Sequence, residues 1–421
     1  MPVIEPFRAL RYNLSASELE KVLAPPYDVI SPDEREELYS RDPHNVVRLV
    51  LGREADPYAE AARFLKEWRD EAILRFDEKP AFYVLQQEFH AMGGTRVRTG
   101  LIARCKLEPS GAKGLVLPHE KTLSAPKEDR LKLLQATATQ YSQIFGILED
   151  PNGEFQSSLT EIACSAPDLE LNFDSVLHRL WIVPEAEIMR KISEKVASSH
   201  ILIADGHHRF ETAFQYRLWR RKRENLPSPH AVDFTMMYLT SERDSGLVVL
   251  PTHRLVFGLF EFSSDRVLNH LRNLFILTPI SDSIGDGNVC NVPDKSLFVL
   301  VLDSGCYAVE QKPQVDLWAD TQIAEPLRNL SLMVLHGIVL EQILGVTRES
   351  QVRKEHIDYT KDVDEVISRV RSGRAQIGFI VKPVSISEIF AVAKAGLTMP
   401  QKSTYFYPKL PSGLVMYSME S

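Results

Sequence analysis

Cysteine is scarce in this chain and nowhere paired. Cys105, Cys164, Cys290 and Cys306 stand far apart, with no C-x-x-C spacing. That excludes a zinc ribbon, a thioredoxin-type motif and a disulfide framework, and it suits a reducing compartment. Long apolar runs are missing too. No stretch approaches the roughly 18 apolar residues of a membrane span, and the start, MPVIEPFRALRYN, carries Glu5 where a signal peptide needs an apolar run. The expectation is a cytoplasmic protein with no membrane partner. Nor is there any excess of positive charge. A formal net charge of −8 weighs against a nucleic-acid partner, because binding a phosphate backbone draws on clustered lysine and arginine. The one basic run, Arg220-Arg221-Lys222-Arg223, falls at the end of an expected helix, where the helix dipole favours cations. No internal repeat or low-complexity tract is present, and nothing in the sequence sets the oligomeric state.

What is there is ordinary globular composition over 421 residues, 44% hydrophobic and 25% charged, enough to bury a large core without staples. Helical and strand patterns alternate, which predicts an α/β protein of mixed α+β character. By motif the chain divides into an N-terminal segment, 1–110, a catalytic segment, 111–233, and a C-terminal segment, 234–421. Pro25-Pro26-Tyr27-Asp28 reads as a rigid turn, since two fixed φ angles in succession cannot continue a helix. A helix is expected over 31–40, with Ser31 as N-cap and Pro32 at its first position. Another is expected over 57–76, where Ala61, Phe64, Leu65, Trp68 and Ala72 recur at helical spacing. Residues 81–85 and 99–103 read as strands of a hairpin around Gly93-Gly94. Further strands are expected at 180–183, 201–204, 236–240, 247–250, 297–302 and 375–381. Helices are expected over 185–198, 331–344, 362–372 and Ser385–Ala395. The Asp-, Gly- and Asn-rich stretch 282–296 reads as mobile surface.

Three short segments carry the chemistry. In ILIADGHHRFETA an apolar strand ends in an Asp-Gly turn, and a helix starts at once with two histidines and an arginine in its first turn. Phe210, Ala213, Phe214 and Leu218 read as its buried face. Free backbone N–H groups at a helix N-terminus beside an arginine make an anion site. Gly206 permits close backbone approach, and Asp205 is placed to hold a metal ion or orient a histidine. The bland reading makes Asp205 a cap and the histidines solvated. A shared His207–His208 metal site is disfavoured, because neighbouring helical residues diverge by roughly 100°. The second segment is Leu117-Pro118-His119-Glu120-Lys121-Thr122, a loop with a carboxylate. It leads into a helix with Ser124 as candidate N-cap and Lys127, Asp129 and Arg130 near its start. A carboxylate near a phosphate cradle suits phosphoryl transfer to a hydroxyl, where a base takes the acceptor's proton. The third is Pro400-Gln401-Lys402-Ser403-Thr404, a lysine followed by two hydroxyls without the Walker glycines of a P-loop.

Taken in order, Pro118-His119-Glu120, Asp205 to Arg209 and Pro400 to Thr404 resemble the free L-serine kinases. Those enzymes share the fold of sulfiredoxin and of the nuclease-like domain of chromosome-partition proteins. Nearly the whole chain also resembles the domain-of-unknown-function 1015 family, through PFRALRYN, PPYDVIS, HEKT, DGHHR and PQKSTYFYPKLPSGL. The kinase resemblance implies a partition-protein/sulfiredoxin-like core enlarged by further α/β segments. It implies a small-molecule phosphotransferase that moves a phosphoryl group from ATP or ADP, with Mg2+, to the hydroxyl of free serine or a similar amino acid. Glu120 would be the general base, with Asp205 and His208 completing the catalytic set. Gly206, His207, His208 and Arg209 would bind nucleotide phosphates, with Asp205 as magnesium ligand. His119, Lys402, Ser403 and Thr404 would contact substrate. Reaction chemistry then requires the three segments to converge on one cleft.

Two other functions fit the same residues. A phosphohydrolase would use Glu120 to activate water instead of a hydroxyl. A nucleotide-binding regulatory module would need neither, but it would bring a DNA-binding helix pair and a basic surface. Sulfiredoxin-type redox chemistry is excluded, since His207 stands where its cysteine would be.

Overall fold

A computed structural model describes residues 2–108, 114–122, 124–281, 293–319 and 321–420. It is mixed α and β, as the alternation of patterns predicts. By contact the chain forms two units, residues 1–248 with 408–421 and residues 249–407. The motif-based segments 1–110, 111–233 and 234–421 cut across this division. Among the described residues no helix is long and apolar enough to cross a membrane.

The first unit is built on a nine-stranded sheet. From one edge its strands run Val116–Leu117, Ile201–Asp205, Ile144–Leu148, Phe234–Ser241, Gly94–Lys106, Phe82–Ala91, Val176–Val183 and Leu169–Phe173, with Ile4–Glu5 added on Gly94–Lys106. The hairpin is as expected: Ala91 faces Gly94, and Met92 and Gly93 both take positive φ, as a two-residue hairpin turn of the favoured hand requires. At the edge named first, Val116–Leu117 runs parallel to Ile201–Leu202, while Ile144–Leu148 runs antiparallel to it. Ile144–Leu148 and Phe234–Ser241 are buried along their whole length, so these strands read as apolar runs rather than alternating ones. Helices Glu154–Ala163 and Ala186–Ala197 place Phe155, Leu159, Ile192 and Val196 in one core with Ile201, Ile203, Leu101 and Phe210.

Several expectations are corrected in detail. The helix expected over 57–76 stops at Asp70, because Ala72 takes a left-handed φ of 59° and the chain turns into the strand Leu74–Phe76. Helix His207–Arg223 buries Phe210, Ala213 and Tyr216, but Leu218 is exposed: the buried stripe lies over 210, 213 and 216, and Leu218 falls outside it. The basic end of this helix is tied down as well as dipole-favoured, with Arg217 and Arg221 on Asp233 and Arg220 on Glu224. Ser31 caps Pro32–Arg41 through a reciprocal bond with Glu34, as its sequence predicts.

The second unit is a six-stranded, wholly antiparallel sheet in the order Phe275–Ile280, Gly305–Gln311, Phe298–Leu302, Ile377–Val381, His253–Val256, Ile357–Thr360. Helix Val363–Arg371 lays Val363, Val366 and Val370 on Leu255, Val299, Val301 and Ile380. Gly378 is required there, since a Cβ would stand 2.5 Å from Val366 Cγ1. The helix expected over 331–344 begins at Ser331–Met333 and continues as a wider π-helix over Val334–Ile343. Most of the stretch expected to be mobile, 282–292, lies outside the described residues.

Candidate functional site

The parallel strands Val116–Leu117 and Ile201–Asp205 end at the same edge of the first unit's sheet, and both continue into motif residues. Carboxyl ends of parallel strands are where α/β folds bind ligands. The strand Ile201–Asp205 is irregular between Ile203 and Asp205, and Gly206 then turns the chain with φ 91°. A Cβ on Gly206 would meet the Arg209 guanidinium at 3.0–3.1 Å, so glycine is needed for both the turn and the closeness of Arg209. The first helical bond runs from Phe210 N–H to Gly206 O at 2.9 Å. The first turn of such a helix is the position at which anions are favoured.

The loop after Val116–Leu117 folds onto this turn. His119 N–H donates to His207 Nε2 at 3.3 Å, and the two rings meet edge-to-face with centroids 4.7 Å apart. His119 Nδ1 lies 2.8 Å from Ile203 O, so Nδ1 carries the proton. Since His207 Nε2 accepts, its proton sits on Nδ1. Both rings are buried and neutral. Burial pushes His119 down to about 4, and burial together with nearby His119 holds His207 well below the usual histidine range. Further along, Thr122 Oγ1 donates to Glu211 Oε2 at 2.7 Å, and Lys127 Nζ donates to the same oxygen at 2.8 Å. Glu120 sits half-buried between these anchors, and His208 is half-buried one residue after His207. The structure therefore brings the Leu117–Thr122 and Asp205–Arg209 segments together.

Asp205 has a partner that sequence reasoning missed. Its Oδ2 lies 3.3 Å from Lys409 Nζ and 3.4 Å from Arg209 Nη2. Burial works to raise the Asp205 carboxyl, but Lys409 and then Arg209 outweigh it and hold it well below the usual carboxylate range. Lys409 is itself positioned by a buried frame. Arg98, with no exposed surface, donates to Gln87 Oε1 at 2.5 Å and to Pro408 O at 2.7 Å, while Gln87 Nε2 donates to Lys409 O at 3.2 Å. The Arg98 guanidinium also stacks 4.6 Å from the centroid of Phe145. No spacing in the sequence links residue 409 to residue 205; the only signal was the run PKLPSGL itself.

Asp205 was read as a metal ligand, and its surroundings do not favour that role. Two cations share its Oδ2, and among the described residues no group of three or more His, Cys, Asp or Glu side chains could hold a metal ion. Magnesium held here by protein groups does not fit the donors present, so no step is derived through it.

Lys402, Ser403 and Thr404 belong to the second unit. Lys402 is exposed with a left-handed φ of 56°, its carbonyl accepts from Arg254 Nη2 at 3.1 Å, and Ser403 Oγ donates to Pro400 O at 2.6 Å.

A family model described as "Protein of unknown function (DUF1015)" matches residues 4–333. No curated protein gives a sequence match. Among solved structures the chain is similar to a free serine kinase in complex with AMP, with a TM-score of 0.35 and 13% identity over 69% of this chain and 83% of that one. It is also similar to a conserved hypothetical protein from Pyrococcus furiosus, with a TM-score of 0.33 and 15% identity over 70% of this chain and 90% of that one. A third is SbnI with C-terminal truncation from Staphylococcus aureus, with a TM-score of 0.35 and 9% identity over 73% of this chain and 84% of that one. Likenesses at this depth carry no argument about chemistry, which must come from the site itself.

Proposed function

The chain belongs to the DUF1015 family, and we propose that it is a phosphotransferase that moves a phosphoryl group from ATP or ADP to the hydroxyl of free L-serine or a similar small hydroxy amino acid. The observation that carries this reading is the docking of the His119–Glu120 loop on the first turn of helix His207–Arg223, through the 3.3 Å bond from His119 N–H to His207 Nε2. It joins a carboxylate-bearing loop to an anion-binding helix end, the pair that phosphoryl transfer to an alcohol needs.

The turn amides of Gly206 to Arg209 and the Arg209 guanidinium bind the phosphates. Glu120 takes the proton of the acceptor hydroxyl as that oxygen attacks the terminal phosphorus, whose bond to the bridging oxygen breaks to release ADP from ATP, or AMP from ADP. Asp205, kept ionised by Lys409 and Arg209, fixes the direction of Arg209 and is a positioning residue. His119 and His207, neutral and hydrogen-bonded, are also positioning residues, joining the base-bearing loop to the phosphate turn. A magnesium ion arriving with the nucleotide would supply charge neutralisation on the phosphate oxygens, and the protein residues act as described beside it.

Purified protein with ATP or ADP, magnesium and L-serine, followed by phosphorus NMR, tests this directly. A new phosphomonoester resonance that requires serine is expected. Release of inorganic phosphate that is indifferent to serine would instead assign a phosphohydrolase, and no transfer to either acceptor would remove the enzyme reading.

A further inference from the structure

The helix that carries the phosphate turn presents different residues to its two sides. His207 and Glu211 face the Leu117–Thr122 loop, through the His119 and Thr122 contacts. Arg209 lies two residues from His207, about 200° around the helix axis, and its guanidinium donates to Gln143 O on the other side. There, Arg209 and Thr212 line an open cleft.

The lining of this cleft is suited to a flat ring. Tyr27, placed by the Pro25-Pro26 turn, stacks 4.2 Å under the Arg130 guanidinium. Leu133, Leu134 and Ile144 supply apolar walls. Gln140 also lines the cleft and is more than nine-tenths buried. Its Oε1 accepts from Met236 N–H at 2.7 Å and from Thr235 Oγ1 at 3.1 Å, which fixes the amide so that Nε2 is the remaining end. That Nε2 is a buried donor with no partner. Leaving a buried donor unmet is unfavourable, so an acceptor that reaches it is favoured.

We propose that this cleft binds the nucleobase end of the phosphoryl donor, with Tyr27, Leu133 and Leu134 against the ring and Gln140 Nε2 donating to a ring nitrogen or carbonyl. The inference rests on the phosphotransferase reading. A phosphate seated at the helix N-terminus has the loop that carries Glu120 on one side and the cleft on the other. In-line transfer places the acceptor on the side of the base and the leaving nucleotide on the opposite side. The cleft is therefore on the donor's side, and the acceptor belongs with Glu120.

Calorimetry on the full chain with ADP and with inorganic pyrophosphate separates the parts. Leu134→Trp fills the cleft and should weaken ADP at least about tenfold while leaving pyrophosphate unchanged, whereas Arg209→Ala should weaken both. Gln140→Met keeps the volume and removes the donor. It should weaken ADP by about two- to tenfold with pyrophosphate again unchanged, and it serves where Leu134→Trp does not fold. Unchanged ADP affinity in either folded variant overturns the cleft assignment and leaves the phosphate turn and the proposed reaction standing. Pyrophosphate bound as tightly as ADP by the unaltered protein overturns it in the same way. Failure of the unaltered protein to bind either compound removes the phosphotransferase reading, and the cleft assignment falls with it.

Discussion

Each unit of the molecule holds a charge at least half-buried, and the two are handled in opposite ways. In the first, Asp205 is answered by side chains, Lys409 and Arg209, next to the N-terminus of helix His207–Arg223. In the second, Arg254 has no exposed surface and is answered by neutral groups. Its Nε donates to His336 Nε2 at 3.2 Å, Nη1 to Thr252 O and Nη2 to Lys402 O at 3.1 Å, with the Tyr359 ring 5.6 Å away. His336 is fixed in turn, its Nδ1–H donating to Gln351 Oε1 at 2.7 Å, so its Nε2 is the acceptor. Burial brings Arg254 down to about 10 and His336 to about 3. One cluster joins side chains of opposite charge, and the other ties a lone cation to neutral neighbours. Under the proposed function the first serves a ligand and the second architecture.

The comparison is broken most directly at Glu120. Glu120→Gln preserves volume and should lower turnover by roughly 10²- to 10⁴-fold, with nucleotide affinity and melting temperature unchanged. Retention of near-full phosphorylation of serine, combined with its loss in Asp205→Asn, would exchange the roles of the two carboxylates.

The second test is structural. Arg254→Met removes a buried cation together with the donors to Thr252 O, Lys402 O and His336 Nε2. Orphaning those acceptors should cost about 2–4 kcal/mol of stability, read from urea unfolding. A variant as stable as the parent would show that the cluster is not architectural.

Acidification should weaken both clusters. A histidine buried neutral binds fewer protons folded than unfolded, so stability is full above the unfolded value of about 6.5 and declines as pH falls towards the folded one. For His119, at about 4, the loss completes near that pH and amounts to about 3 kcal/mol. His119→Gln should flatten the fall in urea midpoint between neutral pH and pH 5. Asp205 works in the other range. Its contribution persists throughout this window and fades only below the ordinary carboxylate value of about 4.

The smallest of the expected effects sharpens the first cluster. Arg209→Ala should weaken nucleotide binding by about 1.5–3 kcal/mol in calorimetry, the worth of a charge-assisted contact. Unchanged affinity would mean that the guanidinium is spent on Asp205 and Gln143, as Arg254 is on its own neighbours.

How far these features were legible depended on how local their causes are. The turn at Asp205-Gly206 could be read because an apolar run, a glycine with positive φ and a helix start are consecutive. Ser31 could be read as a cap because Pro32 follows it at the first helical position. Docking of the His119 loop on His207 was expected only from family order and reaction geometry. Ile144–Leu148, central to the sheet edge that forms the site, was missed, because a short apolar run carries no period to separate strand from helix. Lys409 was missed because its charge matters only through Asp205, about 200 residues away, and through a frame built by Arg98 and Gln87. The end of the helix at Asp70 was overrun because Ala72 fits the helical stripe, yet its backbone leaves the helical region.

The return of residues 408–420 to the first unit also bears on the timing of synthesis. Lys409 reaches Asp205, Ser412 pairs with Ala24, Met416 with Leu10, and Tyr417–Ser418 with Thr139–Gln140. A growing chain has made every other residue of the turn, the base-bearing loop and the cleft before it enters the second unit. Asp205 must wait through the translation of residues 249–407 for its lysine. A ribosome stalled in that interval would hold a first unit with an open sheet edge at Thr139–Gln140 and a carboxylate short of one counter-charge. The positioning of Asp205 as proposed is therefore complete only once Lys409 has been made.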